Sequence, residues 1–253
     1  MAAWFAKAAN QARVGLTGNA LRESPMNDNP SSPSRLAHRP PPPQPHELAA
    51  HLAARLCHDF ISPAGAIMSG LDLLNDPEAQ DMRDDALRLI AASSEKLVAL
   101  LAFDRVAFGA SAAAETFDVR GLEKLTRDVF AHVRADLDWA VEADSLSKPV
   151  ARVLLNLAQI GAGTLPTGGT ARLTVTAGDG ETEVCVRAEG AKARLRPEVA
   201  DGLEGLPLGD GLGGHWVQAY YLKGLVDAAD GALDVETSET VITIRARLRE
   251  AQG

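Results

Sequence analysis

The stretch Glu47–Asn75, ELAAHLAARLCHDFISPAGAIMSGLDLLN, places apolar residues at Leu48, Leu52, Leu56, Phe60, Ala64, Ile67, Leu71 and Leu74. Intervals of three and four residues sustained for about eight turns predict one long amphipathic helix. Asn75-Asp76-Pro77 breaks the pattern. Asp76 suits an N-cap and Pro77 a first helical position, so a second helix is predicted from Pro77 to about Phe108. Its apolar positions include Met82, Ala86, Leu89, Ile90, Leu97, Leu100, Leu101 and Phe108, with Gly109 as its stop. The result is an antiparallel hairpin with a very short turn. Two helices alone cannot bury stripes this wide, so pairing with a second copy into a four-helix bundle, a homodimer, is expected.

Beyond the small-residue stretch Ala110–Glu115 the character of the chain changes. Helical spacing returns at Leu122, Leu125, Val129, Phe130 and Val133, and again over Pro149–Ala162. Alternating strands are predicted at Ala171–Ala177 and Glu183–Ala188, then a glycine-rich loop over Gly202–Gly214 and a helix over His215–Ala229. Strands Ala232–Thr237 and Val241–Leu248 follow. The fold class is therefore α+β: a helical hairpin over 46–109, a linker over 110–118 and an α/β layered sandwich over 119–253. Residues 1–45 include Pro30, Pro33 and the run Pro40–Pro43 and read as a disordered tail. The Ala-rich start lacks the long apolar core of a secretory signal, and Met26 stands as an alternative first residue.

Composition excludes several function classes. A net charge of −9, without a basic stripe, argues against nucleic acid as a partner. Two cysteines, Cys57 and Cys185, fit a reduced, cytoplasmic protein without a disulfide framework, and Cys57 reads as a small buried hydrophobe. No run of eighteen apolar residues is present, so no membrane span is expected.

On a helical wheel His58 points roughly 180° from the apolar stripe, toward solvent. His51, Ala54, Arg55, Ser62, Gly65 and Ser69 share its face, mostly small or polar, and would let a partner protein approach closely. For His51 itself a solvated surface histidine is the simpler reading. Pro63, five residues after His58, costs an interior helix about 3 kcal/mol and predicts a bend. A residue that costly beside an exposed histidine points to function, whereas an idle surface histidine leaves Pro63 unexplained. Zinc at His51 and His58 is disfavoured, because no further ligands complete a site.

His58-Asp59-Phe60-Ile61-Ser62-Pro63 resembles the H-box of histidine kinases. The resemblance implies a dimerisation and histidine-phosphotransfer hairpin, with His58 accepting a phosphoryl group through a neutral ring nitrogen. Asp59 would then hold the imidazole tautomer or take its proton. Arg55, one turn earlier, would pair with phosphoryl oxygens, and Ser62, one turn later, would assist dephosphorylation of the partner. From residue 119 onward the layout resembles the kinase ATP-binding domain with its chemistry lost. Asn156-Leu157 resembles the start of the N-box, but the second asparagine position holds Ile160, which offers no oxygen to a hard cation. The adenine-reading aspartate position holds Ala188. Gly209-Asp210-Gly211-Leu212-Gly213 resembles the last glycine box, or is simply a flexible turn.

A dimeric H-box hairpin joined to a degenerate ATPase-like domain resembles the ChpT-type histidine phosphotransferases of alphaproteobacteria. That resemblance implies a phosphorelay. The phosphoryl group would come from the receiver-domain aspartate of a hybrid histidine kinase of the CckA kind and leave to cell-cycle response regulators of the CtrA and CpdR kinds. The chain would have no cofactor of its own, with Mg²⁺ supplied by the receiver domain. Two alternatives are an active histidine kinase with a divergent ATP site and a non-catalytic dimeric scaffold that docks receivers.

Overall fold

Helix α1 (Pro45–Asn75) begins with proline in its first turn, where a missing N–H is harmless, and the Glu47 carboxylate accepts the Gln44 N–H at 2.8 Å. The computed structural model describes residues 41–109, 115–178, 180–209 and 211–249. Of the tail expected over residues 1–45, residues 1–40 lie outside the described residues, as do the linker residues 110–114 and Asp210, and Pro45 already belongs to α1. The helix runs unbroken through Pro63, whose ring is buried. Its absent N–H is the one that would have bonded the carbonyl of Asp59, four residues back.

The turn of the hairpin differs from the sequence expectation. Asp76 closes α1 instead of opening the next helix. Its carboxylate captures the Glu78 N–H at 2.9 Å, and the Gln80 side chain donates to its carbonyl at 2.9 Å. An aspartate that bonds the backbone two residues on builds a turn, and this one delays the helix. A 3₁₀ turn at Gln80–Met82 follows, and α2 runs Arg83–Ala107. The hairpin helices approach closely at Gly70, where an added Cβ would lie 2.6 Å from Ile90 Cγ1 and 3.1 Å from the Ala86 carbonyl.

After α2 come β1 (Thr116–Asp118), α3 (Val119–Phe130), β2 (Ala135–Val141), β3 (Ser145–Ser147) and α4 (Lys148–Gly163). Then follow β4 (Gly169–Gly178), β5 (Glu181–Glu189), α5 (Pro197–Leu203), α6 (Gly213–Asp227), β6 (Ala232–Thr237) and β7 (Val241–Arg249). Thr116–Asp118, expected in the linker, pairs instead with β3 as a two-stranded ribbon. The main sheet has the order β2-β4-β5-β7-β6, with only β2–β4 parallel. Helix α4 is apolar nearly all round, with Val153, Leu154, Leu155, Leu157 and Ala158 wholly buried. Such a helix belongs inside. It lies against β5 on one side and α2, α3 and α6 on the others, and so fixes the hairpin to the sheet.

Candidate functional site

His58 stands on α1 with 89% of its side chain exposed. Its Nδ1 lies 3.3 Å from Asp59 Oδ1. A carboxylate accepts only, so this geometry places the ring proton on Nδ1 and leaves the Nε2 lone pair facing outward. Ala54, Ser62, Gly65 and Ser69 are exposed on the same helix, at intervals of three and four residues that keep them on the His58 side. Apart from its chain neighbours and its own helix backbone, nothing lies within 4 Å of where a Gly65 Cβ would be. Cys57, expected inside, is exposed, because Leu56 and Phe60 fill the inward positions at this level.

His51 and Arg55 depart from the wheel. They lie on the His58 side by spacing, but the N-terminus of α6 covers that side one and two turns earlier. The His51 ring meets Trp216 edge-on at a centroid distance of 5.7 Å, so it is half-buried and not a solvated histidine. Arg55 is not free to meet a phosphoryl group: its side chain is only 11% exposed, and Nη1 donates to the Gly214 carbonyl at 2.7 Å. Its Nε approaches Asp59 Oδ2 at 3.6 Å, an ion pair too long for a hydrogen bond, and has no hydrogen-bond partner. Arg55 thus stands behind Asp59, which in turn holds His58.

A residue missed by the sequence reading completes this cluster. Asp104 on α2 is 6% exposed, and neither carboxylate oxygen has a hydrogen-bond partner. Burial, reinforced by the Asp59 charge and opposed by Arg55, raises its pKa to about 7. Burial pulls Arg55 down, while Asp59 and Asp104 pull the other way. The signal was present: Asp104 falls four residues after Leu100 and four before Phe108, on the buried stripe of its helix.

The positions compared with a kinase nucleotide site have other tasks. Asn156 is fully buried. Its Nδ2 donates to the carbonyls of Arg152 at 2.9 Å and Ala107 at 3.3 Å, and Gln218 Nε2 lies 3.4 Å from its Oδ1. Ile160 and Ala188 are buried. Gly213 and Gly214 lie against α1: a Cβ at Gly213 would come 3.3 Å from His51 Nδ1, and one at Gly214 would meet the Arg55 stem. The cavity beside Ile160 measures about 80 Å³, far below the roughly 300 Å³ at which sites for larger organic ligands begin. These residues do not fit a magnesium nucleotide. Among the described residues no cluster of His, Cys, Asp and Glu suits a metal, and no helix is long and apolar enough to cross a membrane.

A hairpin presenting an exposed histidine, packed on an α/β layer that does not fit a nucleotide, has the layout of a histidine phosphotransferase. The histidine phosphotransferase C-terminal domain family matches residues 119–241. The protein phosphotransferase ChpT of Brucella abortus (strain 2308) is 30% identical over 198 residues, covering 78% of this chain and 93% of that protein. A bacterial phosphotransferase structure at 1.7 Å superposes with a TM-score of 0.73 at 29% identity, over 83% of this chain and all of the other. The chain belongs to the ChpT-type protein phosphotransferases.

Proposed function

We propose that this enzyme relays a phosphoryl group through His58. The supporting observation is the exposed imidazole whose Nδ1 faces Asp59 and whose Nε2 faces outward. The Nε2 lone pair attacks the phosphorus of an aspartyl phosphate on a receiver domain; the P–O bond to the aspartate breaks and its carboxylate leaves. The reverse displacement passes the group from Nε2 to a second receiver. The donor is a hybrid histidine kinase of the CckA kind, and the acceptors are response regulators of the CtrA and CpdR kinds. Each receiver brings the Mg²⁺ that offsets charge on the moving group. Ser62, one turn beyond His58, meets the same bound receiver. Exposed Ile61, Met68, Leu71, Leu87, Val98 and Leu101 on the hairpin support pairing with a second copy.

Incubation with a phosphorylated receiver should place acid-labile label on His58 alone, and ATP alone should place none. Label from ATP alone would make the chain a kinase. Asp59→Asn keeps the nucleophile but loses the charged acceptor for Nδ1–H, and transfer should slow about 10- to 100-fold with binding little changed. Unchanged single-turnover rates would remove Asp59 from the site. Receivers dock over Ala54, Gly65 and Ser69, with His51 at the edge of that face. Gly65→Arg should weaken transfer about tenfold or more by obstructing close approach, while light scattering shows the assembly unchanged. Normal transfer by this variant would move the docking face elsewhere.

A further inference from the structure

We propose that the cavity between α1, α4, α5 and α6 is a binding site for a small tetrahedral oxyanion, inorganic phosphate. Arg55, Arg194, Arg196 and His215 line it, and none of its lining residues is acidic. In a chain of net charge −9 that concentration of positive charge is not a general property of the surface. Neither Arg194 nor Arg196 has an ion pair among the described residues, whereas Arg55 is held by the Gly214 carbonyl and by Asp59 and contributes its charge to the wall. Three arginines and a histidine from three segments of the chain therefore line a space with no acidic side chain in its wall among the described residues.

The size selects the ligand. A space of about 80 Å³ holds several waters, each needing roughly 10–15 Å³, or the four oxygens of one tetrahedral anion in their place. It does not hold a nucleoside. Gln159, Gln218 and Thr164 add neutral polar groups to the wall, and arginine forks match the spacing of phosphate oxygens. His215 responds to the same field. Burial holds its pKa below the usual value, as do the Arg196 and Arg55 charges, while Glu198 and Asp59 act more weakly the other way. An anion in the cavity reverses the unfavourable charge balance, so binding carries proton uptake by His215.

The test titrates the full-length protein with potassium phosphate at constant ionic strength, with chloride as the matched control. Calorimetry follows binding, and the His215 imidazole signals are followed by NMR. Saturable binding is expected, with the His215 titration displaced upward when phosphate is bound. Arg196→Gln should weaken it about tenfold or more, and Arg194→Lys should keep most of it. Circular dichroism and melting confirm that both variants fold. The proposal fails if chloride reproduces the shifts, if nothing saturates by tens of millimolar phosphate, or if Arg196→Gln binds normally. It also fails if ATP binds there more tightly than phosphate, which would make the cavity a nucleotide site.

Discussion

A His58→Ala chain should take up no label from a phosphorylated receiver, a loss of at least about a thousandfold, or more than 4 kcal/mol of barrier. The size follows from covalent chemistry: without Nε2 there is no atom to carry the group between receivers, so solvent competes unopposed. The variant should remain folded. The His58 side chain is 89% exposed and its polar contact is the 3.3 Å approach to Asp59, so its removal should change stability by no more than about 0.5 kcal/mol. Receiver binding should also survive, because the surrounding small residues are untouched. Binding with abolished transfer separates a relay from a docking scaffold. Transfer that persists in His58→Ala would place the phosphoacceptor elsewhere.

The second large effect is on stability. Asp104 has a folded-state pKa of about 7 against an ordinary 3.8. A raised folded pKa means that the folded state binds the proton more tightly than the unfolded chain. The associated stability is therefore whole below about pH 4 and is lost as pH climbs through about 7. Above that, the fold carries a buried carboxylate with unpaired oxygens, at an order-of-magnitude cost of about 2–4 kcal/mol. Asp104→Asn removes the ionisation. Its melting temperature should exceed that of the parent by several degrees at pH 8, with the gap opening mainly between about pH 5 and pH 7. Parallel melting curves across that range would show that Asp104 is not the ionising group. A stabilising substitution behind Asp59 and Arg55 would also indicate that this acid is retained for function.

How much of this was legible in the sequence depended on the distance over which each feature is decided. The first helix, the exposed side of His58 and strand β6 follow from periodicity, which is local. The start of the second helix was misplaced because Asp76 and Pro77 satisfy the rules for an N-cap equally well as those for a turn, and only the Gln80 and Glu78 hydrogen bonds decide between them. Strand β2 went unread although Asp136-Leu137-Asp138-Trp139 alternates, because the run is short and two of its members are charged. The inward roles of His51 and Arg55 could not be read from a wheel at all. A wheel assigns one environment to a whole face, whereas α6 covers that face over one part of its length and leaves it bare at His58. Asp104 is the opposite case, visible in spacing as an acid on an apolar stripe and overlooked because the stripe was read for its hydrophobes.

The Arg55–Gly214 hydrogen bond has a consequence for how such a protein varies over generations. Its acceptor is a peptide carbonyl, which every amino acid supplies. A Cβ at position 214 would meet the Arg55 stem at ordinary van der Waals distance, 3.9 Å, so an alanine is tolerated there on steric grounds. The bond joining the histidine-bearing helix to the α/β layer is therefore encoded on one side only. A mutational search would find it solely through Arg55, and compensating changes between the two positions would leave no paired trace.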